Sequence, residues 1–241
     1  MKDSIRSDSK GMIRLTFACL VCGILWGYFL PQNTGAQPAD TITYKPPRRG
    51  APGGREGAGT RSLGGATLAV LAPKDHTGLT AREQPVLYWY LSQETRHPVE
   101  IILTDRQSVQ PLLAIRLNPP LQPGMQPVRL ADYNIHLTPG MSYKWSVALV
   151  PDAAQRSHTV MTAGTIERIE LPNELRGQLV QANKITSARL YATAGIWYDT
   201  IAMLSELIDA APQDTMLRQQ RATVLAQEGL TEAAVYDRQR K

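Results

Sequence analysis

Tyr143-Lys144-Trp145-Ser146-Val147-Ala148-Leu149 is the stretch on which the fold turns. Its large apolar side chains, Tyr143, Trp145, Val147 and Leu149, recur at every second position, with Lys144, Ser146 and Ala148 between them. A period of two puts the first set on one face of a β-strand and the second on the other. The same alternation continues outward. Leu87, Trp89 and Leu91 oppose Val86, Tyr88 and Tyr90, and Val99, Ile101 and Leu103 oppose Glu100 and Ile102. Further strands are expected at 67–71, 112–117, 128–130 and 159–169, seven in all, parted by turn clusters such as Asn118-Pro119-Pro120 and Thr138-Pro139-Gly140. This spacing predicts an antiparallel sandwich of immunoglobulin or fibronectin type over 65–170, with Trp89 and Trp145 anchoring its core.

Tyr88 and Tyr90 stand on the face opposite Trp89 and admit two readings. Neighbouring aromatics on an outward sheet face can stack on sugar rings or a peptide. More often such residues lie beneath another element, here the C-terminal helices.

After Pro172 the hydrophobic period becomes 3.6. Gly195 and Gly229 lie 34 residues apart, the tetratricopeptide period. Ala188, Tyr191, Gly195, Ile201, Leu204 and Pro212 take the small, aromatic, turn, apolar and terminating positions of one unit; Ala222, Leu225, Gly229 and Ala234 take those of the next. Small residues let paired helices approach, glycine makes the tight turn and proline ends the second helix. Thr200 occupies a position where the repeat usually has Ala, so the match is partial. A solenoid needs at least about three such units to stand alone. The helices of 171–241 must therefore bury their apolar stripe against the sandwich, a second copy of the chain or a partner. Trp197 and Tyr198, just after the turn glycine, are the candidate contact residues, either for a partner or for the helix–sandwich junction.

Charge locates the rest of the organisation. Of 26 basic and 21 acidic side chains, residues 1–36 carry four and two, and 37–64 carry five and two. Residues 65–170 hold nine of each and 171–241 eight of each. The surplus of +5 thus lies outside the two folded regions, which removes the reason to expect a nucleic-acid face.

A polar, net-positive start is followed by the uncharged run 16–30, TFACLVCGILWGYFL. As a helix, fifteen residues rise about 22 Å, short of the roughly 30 Å hydrocarbon core. With Pro31 and the small residues Thr34-Gly35-Ala36 behind it, 1–36 reads as a secretory signal peptide cut after Ala36; the alternative is an uncleaved anchor. In either case the chain is expected to be exported, to the periplasm, the cell surface or the medium. Cys19 and Cys22, the only cysteines, fall inside this run and read as small apolar filler.

Residues 37–64 contain YKPPRRGAPGGREGAGTRSLG and read as a Pro/Gly/Arg-rich linker, a tether whose apolar content is too low to offset the entropy of ordering. Its basic side chains offer a loose hold on an anionic surface. The glycines of Gly54-Arg55-Glu56-Gly57-Ala58-Gly59 imitate a phosphate-binding loop, but Thr60 stands where a Lys is required.

Catalytic patterns are not found. His76, His97, His136 and His158 are scattered singly, without metal-ligand spacing, and no G-x-S-x-G elbow occurs. Glu167 and Glu170 flank Arg168 as a solvated edge, and Asp75-His76-Thr77-Gly78 and Asp132-Tyr133-Asn134 read as turn chemistry. A hydrolase would need Asp75, His76 and Asp132 to converge. We expect no catalytic, cofactor or metal site.

Several phrases together resemble a bacterial family, best populated in cyanobacteria, described as domain of unknown function 928: YKPPRRGAPGGREGAGTR (44–61), LAPKDHTGLTAREQPVLYWYL (71–91), LADYNIHLTPGMSYKWSVALV (130–150), GTIERIE (164–170) and LYATAGIWYDTIAMLSELI (190–208). The resemblance implies no activity, ligand or catalytic residue. It does imply that the linker phrase is a recurring part of the protein, able to dock along the sandwich edge.

The expectation is an α+β, non-enzymatic, exported envelope protein acting through protein–protein contact, with an envelope protein or a second copy as partner. The membrane enters only through an uncleaved leader, and nucleic acid does not enter. The alternative is a carbohydrate- or cell-wall-binding module using Tyr88, Tyr90 and the basic linker.

Overall fold

The strand alternation read from Tyr143–Leu149 is carried by β8 (Ser142–Leu149), in which Tyr143, Trp145, Val147 and Leu149 are all buried and Lys144 is exposed. The structure, a computed structural model, describes residues 41–47, 53–57, 62–63, 65–105, 109–151 and 159–240. The leader and its two cysteines lie outside these residues. Among the described residues no helix is long and apolar enough to cross a membrane.

Among the described residues, two sheets and five α-helices make an α+β fold. One sheet is β2 (Ala66–Val70), β4 (Val86–Leu91) and β7 (Gly124–Arg129), extended beyond β2 by the two-residue β1 (Ser62–Leu63). The other runs β3 (Gly78–Thr80), β9 (Val160–Arg168), β8, β5 (Val99–Asp105) and β6 (Leu113–Leu117). Neighbours are antiparallel except β3, which pairs parallel to β9 with Leu79 opposite Glu167. All seven expected strands are present.

Two strands, the two-residue β1 and β3, escaped the sequence reading. β3 has three residues and follows a turn-rich cluster, so no period could show. β7 begins earlier than expected because Pro127 looks like a break; it lies at the sheet's edge, where a missing N–H costs no ladder bond.

Trp89 and Trp145 anchor one core that also takes in helical residues. The helices are α1 (Asn173–Gln181), which gives no residue to this core, α2 (Lys184–Thr193), α3 (Trp197–Ala210), α4 (Thr215–Gln227) and α5 (Thr231–Gln239). The pairs α2–α3 and α4–α5 close by the same turn. Gly195 (φ 76°) and Gly229 (φ 69°) are left-handed, and the next N–H, of Ile196 or Leu230, reaches back to the carbonyl of Tyr191 or Leu225. The side chains of Asn183 and Asp214 cap the first helix of each pair.

Gly177 offers a simple check on the assignment of α1. It is exposed in the helix interior, and a Cβ there would meet nothing within 4 Å. Gly177→Ala is expected to stabilise the fold by about 0.5–1 kcal/mol. Gly54, with φ 152°, differs: a Cβ would lie 2.3 Å from the Lys74 carbonyl oxygen. Gly54→Ala is expected to cost about 1–3 kcal/mol, both changes being read from urea unfolding midpoints.

Candidate functional site

All four residues singled out for contact are buried. Tyr88 lies under α3 with its hydroxyl bonded to Ser205. Tyr90 meets the Tyr236 ring of α5 edge-on, at 5.5 Å between centroids. Neither ring presents an open face to a sugar. The partner-contact reading of Trp197 and Tyr198 likewise fails on burial, for both fill the junction between α3 and the sheets. Trp197 Nε1 donates to the Leu71 carbonyl at 2.7 Å, and Tyr198 Oη accepts from Trp145 Nε1 at 2.9 Å while donating to the Thr165 carbonyl at 3.0 Å. Burial pushes the Tyr198 phenol above its ordinary range, and the Trp145 donor pulls it part of the way back.

Asp199, in the first turn of α3 and fully buried, completes this joint. Its Oδ2 accepts from Thr80 Oγ1 at 2.7 Å and from the Ala81 amide at 3.0 Å, and Arg82 Nε stands 3.3 Å from Oδ1. Burial raises the carboxyl, opposed by the Thr80 hydrogen bond and the Arg82 charge. Nothing in the sequence marked Asp199, because its partners lie some 120 positions away.

With the expected surfaces used internally, the feature that stands out is an extended segment laid across the helices. Ile42 and Tyr44 point inward and are buried; Thr43 is half-buried and Lys45 exposed. Each inward residue has its amide taken by a glutamine of α4: Ile42 N donates to Gln220 Oε1 at 2.7 Å and Tyr44 N to Gln227 Oε1 at 2.9 Å. Lys45 N donates to the Ala192 carbonyl, at the end of α2, at 3.0 Å. The Tyr44 ring stacks on His76 and meets Trp197 edge-on at 5.0 Å between centroids. Its hydroxyl donates to the Gly195 carbonyl at 3.3 Å and shares a 2.8 Å hydrogen bond with His76 Nε2. Gly195 has a second reason to be glycine here, since a Cβ would lie 2.9 Å from the Lys45 carbonyl oxygen.

The tether expected over 37–64 is therefore corrected for its described parts. Residues 53–57 are also docked. Glu56 forms an antiparallel bridge to Ala163 of β9, and its carboxylate meets Lys144 at 2.6 Å. Arg55 ties the strand side to the helix side, donating to the carbonyls of Ala72 at 2.9 Å and Glu228 at 3.1 Å. The glycines around Arg55 serve close approach, not freedom or a phosphate. The missed signal was Thr41-Ile42-Thr43-Tyr44, a β-branched and aromatic alternation inside a stretch dominated by Gly and Pro.

Among the described residues no group of three or more His, Cys, Asp or Glu could hold a metal. His76 is engaged by Tyr44, and His136 by Glu83 at 3.0 Å.

Two sheets joined to paired helices, with an extended stretch of the same chain seated in the helical groove, define the class of protein. A family model described as Domain of Unknown Function (DUF928) matches residues 51–237, and the chain belongs to that family. A comparison with curated proteins found no match.

Proposed function

We propose that this is an exported, non-enzymatic protein that works by protein–protein contact, and that the contact mode is capture of an extended chain in the groove of α2, α3 and α4. The observation that carries the reading is the glutamine pair. Gln220 and Gln227 take main-chain amides at alternate residues, so the groove reads the backbone of an extended segment, while sockets for Ile42 and Tyr44 add side-chain preference. Residues 41–47 occupy the groove in cis, and a partner segment of like pattern competes with them.

Two finer readings of the fold accompany this. The order β2-β4-β7 facing β9-β8-β5, with β3 parallel to β9, supports an immunoglobulin- or fibronectin-like sandwich. The repetition of capped helix, glycine turn and second helix, with the turn glycines 34 residues apart, supports a tetratricopeptide-like unit. The uncharged run 16–30 supports export.

The test uses the full chain and a labelled peptide with the sequence of residues 38–47. A tethered segment acts at an effective concentration of about millimolar, so the wild type should exclude the peptide. The Ile42→Ala, Tyr44→Ala variant empties both sockets and should bind it at least about tenfold more tightly. Gln220→Ala, Gln227→Ala, added to that variant, should abolish binding, with circular dichroism confirming that each protein is folded. Equal binding by wild type and variant, or none by either, would sink the proposal.

A further inference from the structure

A second site lies on the other side of the helices. The end of α3, the body of α4, the last turn of α5 and the β4–β7 edge enclose a cleft of about 330 Å³. Arg218, Arg221 and Arg240 line it, together with the side chains of Tyr88 and Tyr236. Arg221 is the fixed member. Its Nε and Nη2 hold both oxygens of the buried Asp237 at 2.7 Å, and Nη1 donates to Ser205 Oγ at 2.7 Å. That pair is neutral and sets the floor.

Arg218 and Arg240 form the walls. Arg218 donates through Nη2 to the Pro212 carbonyl, and its Nε is enclosed with no hydrogen-bond partner. Arg240 donates to Tyr236 Oη at 2.8 Å and rests over that ring at 5.4 Å. Among the described residues neither meets a carboxylate in an ion pair. Both guanidinium groups are thus held in place by neutral groups, with donors to spare.

Asp209 is the one carboxylate among the lining residues, since Asp237 is buried behind Arg221. It would repel a bare anion but accepts from a ligand hydroxyl. Ile208 and Met125 give the same cleft an apolar side. We infer that the cleft between α3, α4, α5 and β7 binds a small hydroxylated ligand bearing a carboxylate or phosphate, with Arg218 and Arg240 on the anion and Asp209 on a hydroxyl. A cleft of this size suits a monosaccharide-sized molecule, and bidentate guanidinium recognition suits both anions. The inference is independent of the peptide groove, which lies on other residues.

The test is calorimetric titration of the full chain with glucuronate, glucose 6-phosphate and glucose. At least one acidic sugar is expected to bind while glucose does not, and whichever binds identifies the anion. Arg218→Ala should weaken binding roughly tenfold, and Arg218→Ala, Arg240→Ala should remove it. Neither substitution touches the Arg221–Asp237 pair, so thermal unfolding should stay close to wild type and report an intact fold. Failure of both acidic sugars at millimolar concentration, equal binding of glucose, or unchanged affinity in the double variant would overturn the assignment.

Discussion

Trp197→Ala is expected to lower stability by about 3–5 kcal/mol, which for a chain of this size is a fall in Tm on the order of 10 °C. Three losses coincide at this residue. A fully buried indole leaves a cavity between α3 and the sheets, the Leu71 carbonyl loses its donor, and Tyr44 loses the ring against which it packs. Trp197→Phe separates these contributions. It keeps most of the volume and orphans the Leu71 carbonyl, so the expected cost is about 1–3 kcal/mol. Differential scanning calorimetry of both variants checks the pair of values. A Trp197→Ala protein as stable as wild type would mean that α3 does not lie in the joint described.

Arg221→Ala is expected to cost about 3–5 kcal/mol, because it leaves the Asp237 carboxylate buried without a counter-ion. The bidentate geometry makes a sharper claim than the size of the loss. Arg221→Met, Asp237→Leu, which removes both charges and keeps most of the volume, should recover most of that stability. The double-mutant cycle by chemical denaturation should therefore show a strongly favourable coupling, at the upper end of the roughly 0.5–3 kcal/mol found for residues in contact. Additive losses would show that the two groups do not compensate one another. Ser205 and Tyr88 sit on the same network, so the cycle also reports whether α3, α4 and α5 are held as one unit over β4.

What could be read in the sequence was what repeats locally. The alternation of Tyr143 to Leu149 carries its own geometry, and so does the glycine spacing of Gly195 and Gly229. Tyr88 and Tyr90 were legible as far as their face but not as far as its cover, since a helix and open solvent leave the same alternation on a strand. The all-apolar run Val86–Leu91 was the hint that both faces of β4 are buried.

Two kinds of feature could not be read. The first is contact between distant residues: the bond of Ile42 to Gln220 spans 178 positions, and neither glutamine is unusual on its helix. The second is a residue type with opposite meanings. Glycine at 54 and 57 reads as freedom from composition, yet it is required where the backbone passes the Lys74 and Met161 carbonyls. Arg55 adds to the same ambiguity, counted as linker charge and found bridging two carbonyls.

The proposed mode of contact depends on the seating of residues 41–47 in the helical groove, and amide hydrogen exchange tests that seating directly. The N–H groups of Ile42, Tyr44 and Lys45 should exchange about a hundredfold or more slower than in an unstructured peptide. Gln220→Ala should accelerate Ile42, and Gln227→Ala should accelerate Tyr44, each without releasing β8. Exchange of all three amides at free-peptide rates in the wild-type chain would contradict the seating, and with it the proposed mode of contact.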